Sequence, residues 1–97
     1  MGEEPDITVQ DAPDRSQYEI TVDGVVGGVA AYRTRPDRIV FTHTEVNDAF
    51  AGRGLGGTLA RGALDDVRSR GLKVTPLCPF IAAYIRRHPE YADIVAG

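Results

Sequence analysis

The hydrophobic period of this chain changes once, and the change falls on a run of glycines. From Tyr18 to Val46 apolar and polar residues alternate in twos, as on strands with one wet face; from Leu55 onward the apolar positions Leu55, Leu59, Ala60, Ala63, Leu64 and Val67 recur at helical spacing. The joint between the two regimes, Asn47 to Gly54, is polar and glycine-bearing. With 97 residues there is room for one compact core and no more, so strands and helix must share it. A chain built this way passes from a sheet, through a bare-backbone loop, directly into a helix laid on that sheet.

The strands are punctuated clearly. Ile7 to Val9 is a short candidate, closed by Asp11-Ala12-Pro13-Asp14. Tyr18, Ile20 and Val22 alternate with Glu19 and Thr21, and Asp23-Gly24 is a two-residue hairpin signal. Val25 to Arg33 follows, its Gly27-Gly28 pair predicting a bulge or a close approach by another element. Pro36-Asp37 turns the chain into Arg38 to Val46, rich in β-branched and aromatic residues. Beyond the first helix, which carries Arg61–Asp65 and Asp66–Arg70 pairs on its wet side and Gly71 at its C-terminal stop, Leu72 to Cys78 reads as another strand. Pro79 opens a second helix running to His88, Pro89 ends it, and Tyr91 to Val95 is a last short strand or a helix end. The fold class is α/β: a mixed, mostly antiparallel sheet with one right-handed strand–helix–strand crossover from Arg38 to Cys78, in a single domain over residues 1–97 whose first six residues fray.

Charge and cysteine content exclude several functions. With 11 basic and 14 acidic side chains the net charge is −3, against the basic stripe that nucleic acid or an anionic membrane would require. No apolar run approaches the ~20 residues of a membrane span, and MGEEPDITVQ has acid where a secretory signal has base. A single cysteine cannot close an internal disulfide, which fits a reducing, cytoplasmic setting. The two histidines lie 45 positions apart beside that one cysteine, so no metal site is expected.

The chemistry centres on Gly52-Arg53-Gly54-Leu55-Gly56-Gly57-Thr58, which holds four glycines in six positions between a strand and a helix. Glycines let the backbone approach a ligand closely, and the first N–H groups of a helix are unpaired and sit at the positive end of its dipole. With Arg53 at the mouth, residues 53–58 form a candidate phosphate cradle; a turn with close helix–sheet packing is the plainer use of the same glycines. Gly52, Gly54 and Gly57 satisfy the dinucleotide spacing G-x-G-x-x-G, yet no acidic residue follows between Val67 and Pro89 to hold a ribose. A Walker loop fails because Gly57, not lysine, precedes Thr58.

The segment resembles the acyl-CoA pyrophosphate loop of the GNAT superfamily of N-acetyltransferases, Gln/Arg-x-x-Gly-x-Gly/Ala, with Gly54 and Gly56 on its two small positions and Ala51 departing from its leading residue. Together with His43-Thr44-Glu45-Val46 and the later Leu77-Cys78-Pro79-Phe80 and Ala82-to-Tyr91 stretch, it resembles a compact subfamily of small acetyltransferases, over about Tyr18 to Tyr91. The resemblance implies acetyl-CoA (coenzyme A) as co-substrate and an amine, small or on a protein, as acceptor. It implies that Thr44 and Val46 line the pantetheine, and that Gly52, Arg53, Gly54, Leu55, Gly56, Gly57 and Thr58 hold the pyrophosphate. The arm would pass between two parallel strands that splay apart; Pro76, lacking an N–H, gives the residues' own reason for pairing to fail there. It also makes Tyr84 the proton donor to the CoA sulfur, although Phe80, Ile81, Tyr84 and Ile85 form a stripe that serves equally as core.

Acetyl transfer to an amine needs a base and an acid. His43 and Glu45, two apart on a strand, share a face, expected to be that of Ile39 and Phe41; each is a candidate base, against a hydrogen-bonded strand histidine and a surface carboxylate. Cys78 at the start of the second helix is a candidate nucleophile or a lining residue of the cleft, against a small buried hydrophobe. The helices that the family places between its first two strands have no counterpart here, since only Asp11 to Gln17 intervenes. The acceptor side is thus left open, for a homodimer partner or a protein amine to complete. The alternative function is a non-catalytic CoA-binding or sensing module, in which Cys78 forms a mixed disulfide with CoA; a third is an interaction domain with no ligand.

Overall fold

The computed structural model describes residues 6–50 and 52–96. Five strands, β1 (Ile7–Ala12), β2 (Gln17–Val22), β3 (Val25–Arg35), β4 (Arg38–Val46) and β5 (Lys73–Pro76), form one sheet in sequence order. The first three pairings are antiparallel and β4–β5 is parallel, joined across helix α1 (Leu55–Ser69). Helix α2 (Pro79–Arg87) follows β5, then a 3-10 segment, Pro89–Ile94. The mixed, mostly antiparallel sheet with a single parallel pair is the architecture that the alternation and the glycine joint predict.

Asp23 and Gly24 both take positive φ, the backbone that a tight hairpin turn needs. Between β2 and β3 the register slips at Ile20/Thr21, so Gly27 has no partner and forms the expected bulge. The first strand runs three residues past Val9 because Gln10, Asp11 and Ala12 continue pairing with β2. Asp6, expected to fray, is tied to the hairpin: its N–H donates to Asp23 Oδ1 and its carbonyl accepts from Asp23 N–H, both at 2.9 Å. The other residues of that segment, and Ala51, lie outside the described residues. β5 is shorter than Leu72 to Cys78, and α2 stops one residue before His88, whose φ of −129° is no longer helical. The chain's last stretch is both things at once: a 3-10 helix, then a parallel bridge from Val95 to Val74.

One face of the sheet carries Tyr18, Ile20, Val22, Ala30, Tyr32, Ile39 and Phe41 against Leu59, Ala63, Leu64 and Val67 of α1 and Ile81 and Ile85 of α2, in a single buried cluster. Each fully buried aliphatic side chain there contributes about 1.5–3 kcal/mol of transfer free energy. Helix α1 lies directly on β1 at Gly62, where a Cβ would come 2.8 Å from Val9 Cβ. Tyrosine rings fill the core and send their hydroxyls to its rim: Tyr18 donates to Asp66, Tyr32 to Asp11 and Tyr91 to Asp65, each at 2.6 Å. Arg70 closes the first two into a network, at 2.6 Å from Asp11 and 2.9 Å from Asp66, which bears out the Asp66–Arg70 pair. Burial, then the carboxylate acceptors, pushes all three phenols above their ordinary pKa.

Candidate cofactor cleft and active site

The parallel pair β4–β5 is short. Its last partners are Phe41 and Pro76; one further bond, from Cys78 N–H to Phe41 O at 2.9 Å, follows, and β4 then runs on from Thr42 to Val46 without β5 beside it. Pro76 has no N–H to offer the ladder, and Pro79 turns the chain into α2 at that helix's first position. The sheet therefore opens at its C-terminal edge, as the proline predicts. Thr44 and Cys78 meet at the closed end of the fissure, Oγ1 and Sγ 3.1 Å apart. Cys78 is buried, at 2% exposure, and makes no side-chain cap on α2.

Beside the fissure, Gly52 and Gly54 take φ of +83° and +72°, and Gly54 caps α1 in the left-handed conformation, which costs a residue with a Cβ about 1–2 kcal/mol. Arg53 N–H is bonded to Phe50 O and Thr58 N–H to Gly54 O, both at 3.3 Å. Among the described residues no acceptor meets the N–H groups of Leu55, Gly56 and Gly57, the first turn of α1. The expected cradle of residues 53–58 thus narrows: Arg53 and Thr58 have their amides occupied, Leu55 contributes backbone while its side chain enters the core, and Gly56 lies beneath the ring of Phe80. Arg53 itself stacks over Phe50, 5.4 Å from the ring centroid.

A cleft of about 540 Å³ opens from that first turn along the groove between the helices. Helix α1 gives it Gly54, Gly57, Thr58 and Arg61; α2 gives Phe80, Ala83, Tyr84 and Arg87, with His88 beyond. The expected Arg61–Asp65 pair does not form; Asp65 Oδ1 accepts from Tyr91. Among the described residues neither Arg61 nor Arg87 has a carboxylate within 4.0 Å. Two unneutralised guanidinium groups and a helix N-terminus thus share one cleft in a chain of net charge −3. Tyr84 stacks on His88, centroids 3.9 Å apart, and His88 Nδ1 lies 2.9 Å from Tyr84 O. Burial raises the Tyr84 phenol's pKa, with Arg61 pulling the other way, so the hydroxyl keeps its proton at neutral pH. The sequence reading left out Arg61, Phe80 and Arg87 as lining residues. The signal was present in the spacing, since Gly54, Thr58 and Arg61 follow at intervals of four and three on one face of α1.

His43 and Glu45 do share a face, but not that of Ile39 and Phe41. The β3–β4 register slips so that Ala31 pairs with His43 while Tyr32 pairs with Phe41, leaving Thr42 as an extra residue. This second bulge inverts the alternation. Thr44 then pairs with buried Ala30 on the helix side, and His43 and Glu45 turn to the helix-free face, where Nε2 and Oε1 are 3.9 Å apart and both side chains are exposed. Thr44 and Val46 therefore line the fissure side, and the two candidate bases stand on the other side of the same strand.

Comparison with known proteins agrees with this geometry. The family model described as GCN5-related N-acetyl-transferase matches residues 17–94. Protein NATD1 of Mus musculus is 36% identical over 85 residues, covering 86% of this chain and 77% of that one; Protein NATD1 of Homo sapiens is 38% identical over 77 residues, covering 77% and 68%. The NMR solution structure of a GCN5-like candidate N-acetyltransferase from Staphylococcus aureus superposes with a TM-score of 0.69 over 93% of this chain and 88% of that one; at 22% identity the likeness is one of fold.

Proposed function

The chain belongs to the GCN5-related N-acetyltransferase family, and from that premise we propose that it transfers an acetyl group from acetyl-CoA to an amine. The observation that carries the reading is a glycine-capped helix start facing a cleft with two arginines, where among the described residues three N–H groups lack an acceptor and neither guanidinium has a carboxylate within 4.0 Å, in a sheet whose parallel pair ends at Phe41 and Pro76. A polyphosphate with a long, thin thiol-bearing arm fits that combination.

In this reading the first turn of α1 receives the diphosphate, with Arg61 and Arg87 adding charge along the cleft. The arm enters the fissure past Thr44 and Val46, and Cys78, buried at its closed end, lines it. Acetyl-CoA supplies the acyl group on a thioester. The amine must lose a proton as its bond to carbon forms, and the departing thiolate must gain one. His43 and Glu45 are the groups that accept the first, and Tyr84, kept protonated by burial, is the candidate donor of the second.

Calorimetry with acetyl-CoA and CoA, followed by mass spectrometry of a panel of primary amines incubated with acetyl-CoA and the protein, tests the reading. Binding of both nucleotides with acetylation of at least one amine above the uncatalysed rate is expected. Binding without turnover of any amine would leave a CoA-binding module in its place, and absence of binding would remove both.

A further inference from the structure

The chain has four tyrosines, and three of them are held by their hydroxyls: Tyr18 donates to Asp66, Tyr32 to Asp11 and Tyr91 to Asp65. Tyr84 differs. Among the described residues its hydroxyl has no protein partner, and His88 Nδ1 meets its backbone carbonyl rather than the phenol. A half-buried aromatic side chain without a hydroxyl anchor has to be oriented through its ring.

That ring is stacked. The imidazole of His88 lies 3.9 Å from it, centroid to centroid, with an angle of 15° between the planes. Tyr91 leans on Tyr84 at 6.1 Å and 41°, and is itself tied to Asp65 of α1. Gly57 of α1 leaves room at the ring edge, where a Cβ would lie 3.8 Å from Tyr84 Cε2. His88 is fixed in its turn. Its N–H donates to Ile85 O at 3.1 Å, and its carbonyl accepts from Tyr91 N–H at 3.0 Å. Pro89 keeps its backbone out of the helical region, at φ −129° and ψ 76°. Nδ1 lies 2.9 Å from Tyr84 O; a carbonyl only accepts, so that nitrogen carries the proton. The contact survives in both charge states of the imidazole, because Nδ1 is a donor in each.

We infer that His88 is the positioning residue of Tyr84: its stacked ring holds the phenol in one orientation at the wall of the cleft between α1 and α2. His88 acts through Tyr84 and takes no proton in the transfer. The use of that orientation rests on the acetyl-transfer reading, in which the phenol O–H gives its proton to the CoA thiolate and recovers one from solvent. The stack itself stands without that reading, and the two can fail separately.

Tyrosinate absorbance of the folded full chain reads the stack directly. Tyr18, Tyr32 and Tyr91 are raised by burial and then by their carboxylate acceptors. Tyr84 is raised by burial, with Arg61 opposing and Glu90 and Asp65 adding to it; Arg87 and His88 are the other ionisable groups of its cleft. Lacking a carboxylate acceptor, Tyr84 is expected to ionise first, and Tyr84→Phe identifies its signal. His88→Gln keeps a donor for Tyr84 O and removes the ring, whereas His88→Phe keeps a ring and removes the donor. The glutamine variant is expected to bring the first midpoint down toward the ordinary phenol value of about 10, and the phenylalanine variant to leave it as in wild type. In acetyl transfer, His88→Gln should lower kcat about tenfold, the scale of a misplaced catalytic group, with KM for acetyl-CoA within about twofold. It should cost nothing further in a Tyr84→Phe background. A first midpoint unmoved by His88→Gln, a phenylalanine variant that titrates like the glutamine variant, or a kcat loss undiminished in Tyr84→Phe would overturn the inference. If wild type acetylates no amine, the acetyl-transfer reading falls and the titration alone decides the stack.

Discussion

The two sides of β4 near its C-terminal end are built on opposite principles. On the helix side, cations come from two helices laid side by side and amides from the first turn of α1, and among the described residues those amides have no acceptor and neither Arg61 nor Arg87 is neutralised. On the open side, the carboxylate and imidazole of Glu45 and His43 stand exposed on a strand, 3.9 Å apart. Helices present backbone charge at their ends and side chains at intervals of three and four; strands present side chains only, on alternating faces. A site for a polyphosphate is thus readily made where a helix starts, and a site for a cation where a strand can set carboxylates on one face. What keeps the two apart is one extra residue in β4.

The most severe test of that separation is deletion of Thr42. Without the bulge the alternation set by Ile39 and Phe41 would carry on, turning His43 and Glu45 to the helix side and Thr44 and Val46 to the open face. Moving two ionisable side chains toward a core costs several kcal/mol, against a total stability of about 5–15 kcal/mol for a domain this size. Loss of a cooperative thermal transition by circular dichroism is expected. A deletion variant that melts within a few degrees of wild type and still binds CoA would show that the bulge does not divide the compartments.

Next in size is the charge contrast. Arg61→Gln with Arg87→Gln removes both free guanidinium groups; at about 1.5 kcal/mol for each charged hydrogen bond, CoA should bind about 100-fold more weakly, with a shallower dependence on salt. Glu45→Gln on the opposite side should leave CoA affinity within twofold, since one exposed charge there is screened over about 8–10 Å. Equal losses from the two changes, measured by calorimetry, would mean that the compartments are not electrically distinct.

These two tests fall on features of unequal legibility. The meander, the glycine joint and the opening at Pro76 could be read from the sequence because each depends on a local property: alternation, positive φ, a missing N–H. The bulge at Thr42 could not, since threonine is an ordinary strand residue and the slip is decided by the pairing with Ala31 and Tyr32 across the sheet. The same holds for Arg61. Its spacing to Asp65 suits a helical ion pair, but Asp65 accepts from Tyr91, 26 positions beyond it, and among the described residues Arg61 has no carboxylate within 4.0 Å. Asp11 pairing with Arg70, 59 positions away, is of the same kind. Local grammar reaches the elements; the charges of the site are settled by contacts between elements.

Alkaline pH separates the molecule along a different line. The Tyr18 phenol joins β2 to α1 and the Tyr32 phenol joins β3 to β1, both raised by burial and then by their carboxylate acceptors. A phenol whose folded pKa lies above its unfolded value of about 10 contributes stability that is complete below that pH and is lost as pH climbs toward the folded value. The melting temperature is therefore expected to be flat through neutral pH and to fall above about pH 10. Tyr18→Phe, which removes one such phenol, should lower the neutral melting temperature and flatten the alkaline fall. An unchanged alkaline slope in that variant would move the effect to other groups.

The smallest effect is expected at the closed end of the fissure, where Thr44 Oγ1 and Cys78 Sγ approach to 3.1 Å. Thr44→Val keeps the shape and removes the hydroxyl. Sulfur is a weak partner, so the loss should not exceed about 1 kcal/mol, or about 4–8 °C in melting temperature for a chain of this length. The useful readout is the thiol. Cys78 is 2% exposed, so alkylation requires the fissure to open, and loss of the contact that spans it should speed reaction with iodoacetamide; CoA, by filling the fissure, should slow it in both proteins. If the variant reacts no faster, the hydroxyl does not hold the strands together there. If CoA gives no protection in either protein, the thiol arm does not lie beside Cys78, and the fissure and the cationic cleft would have to be assigned to different ligands.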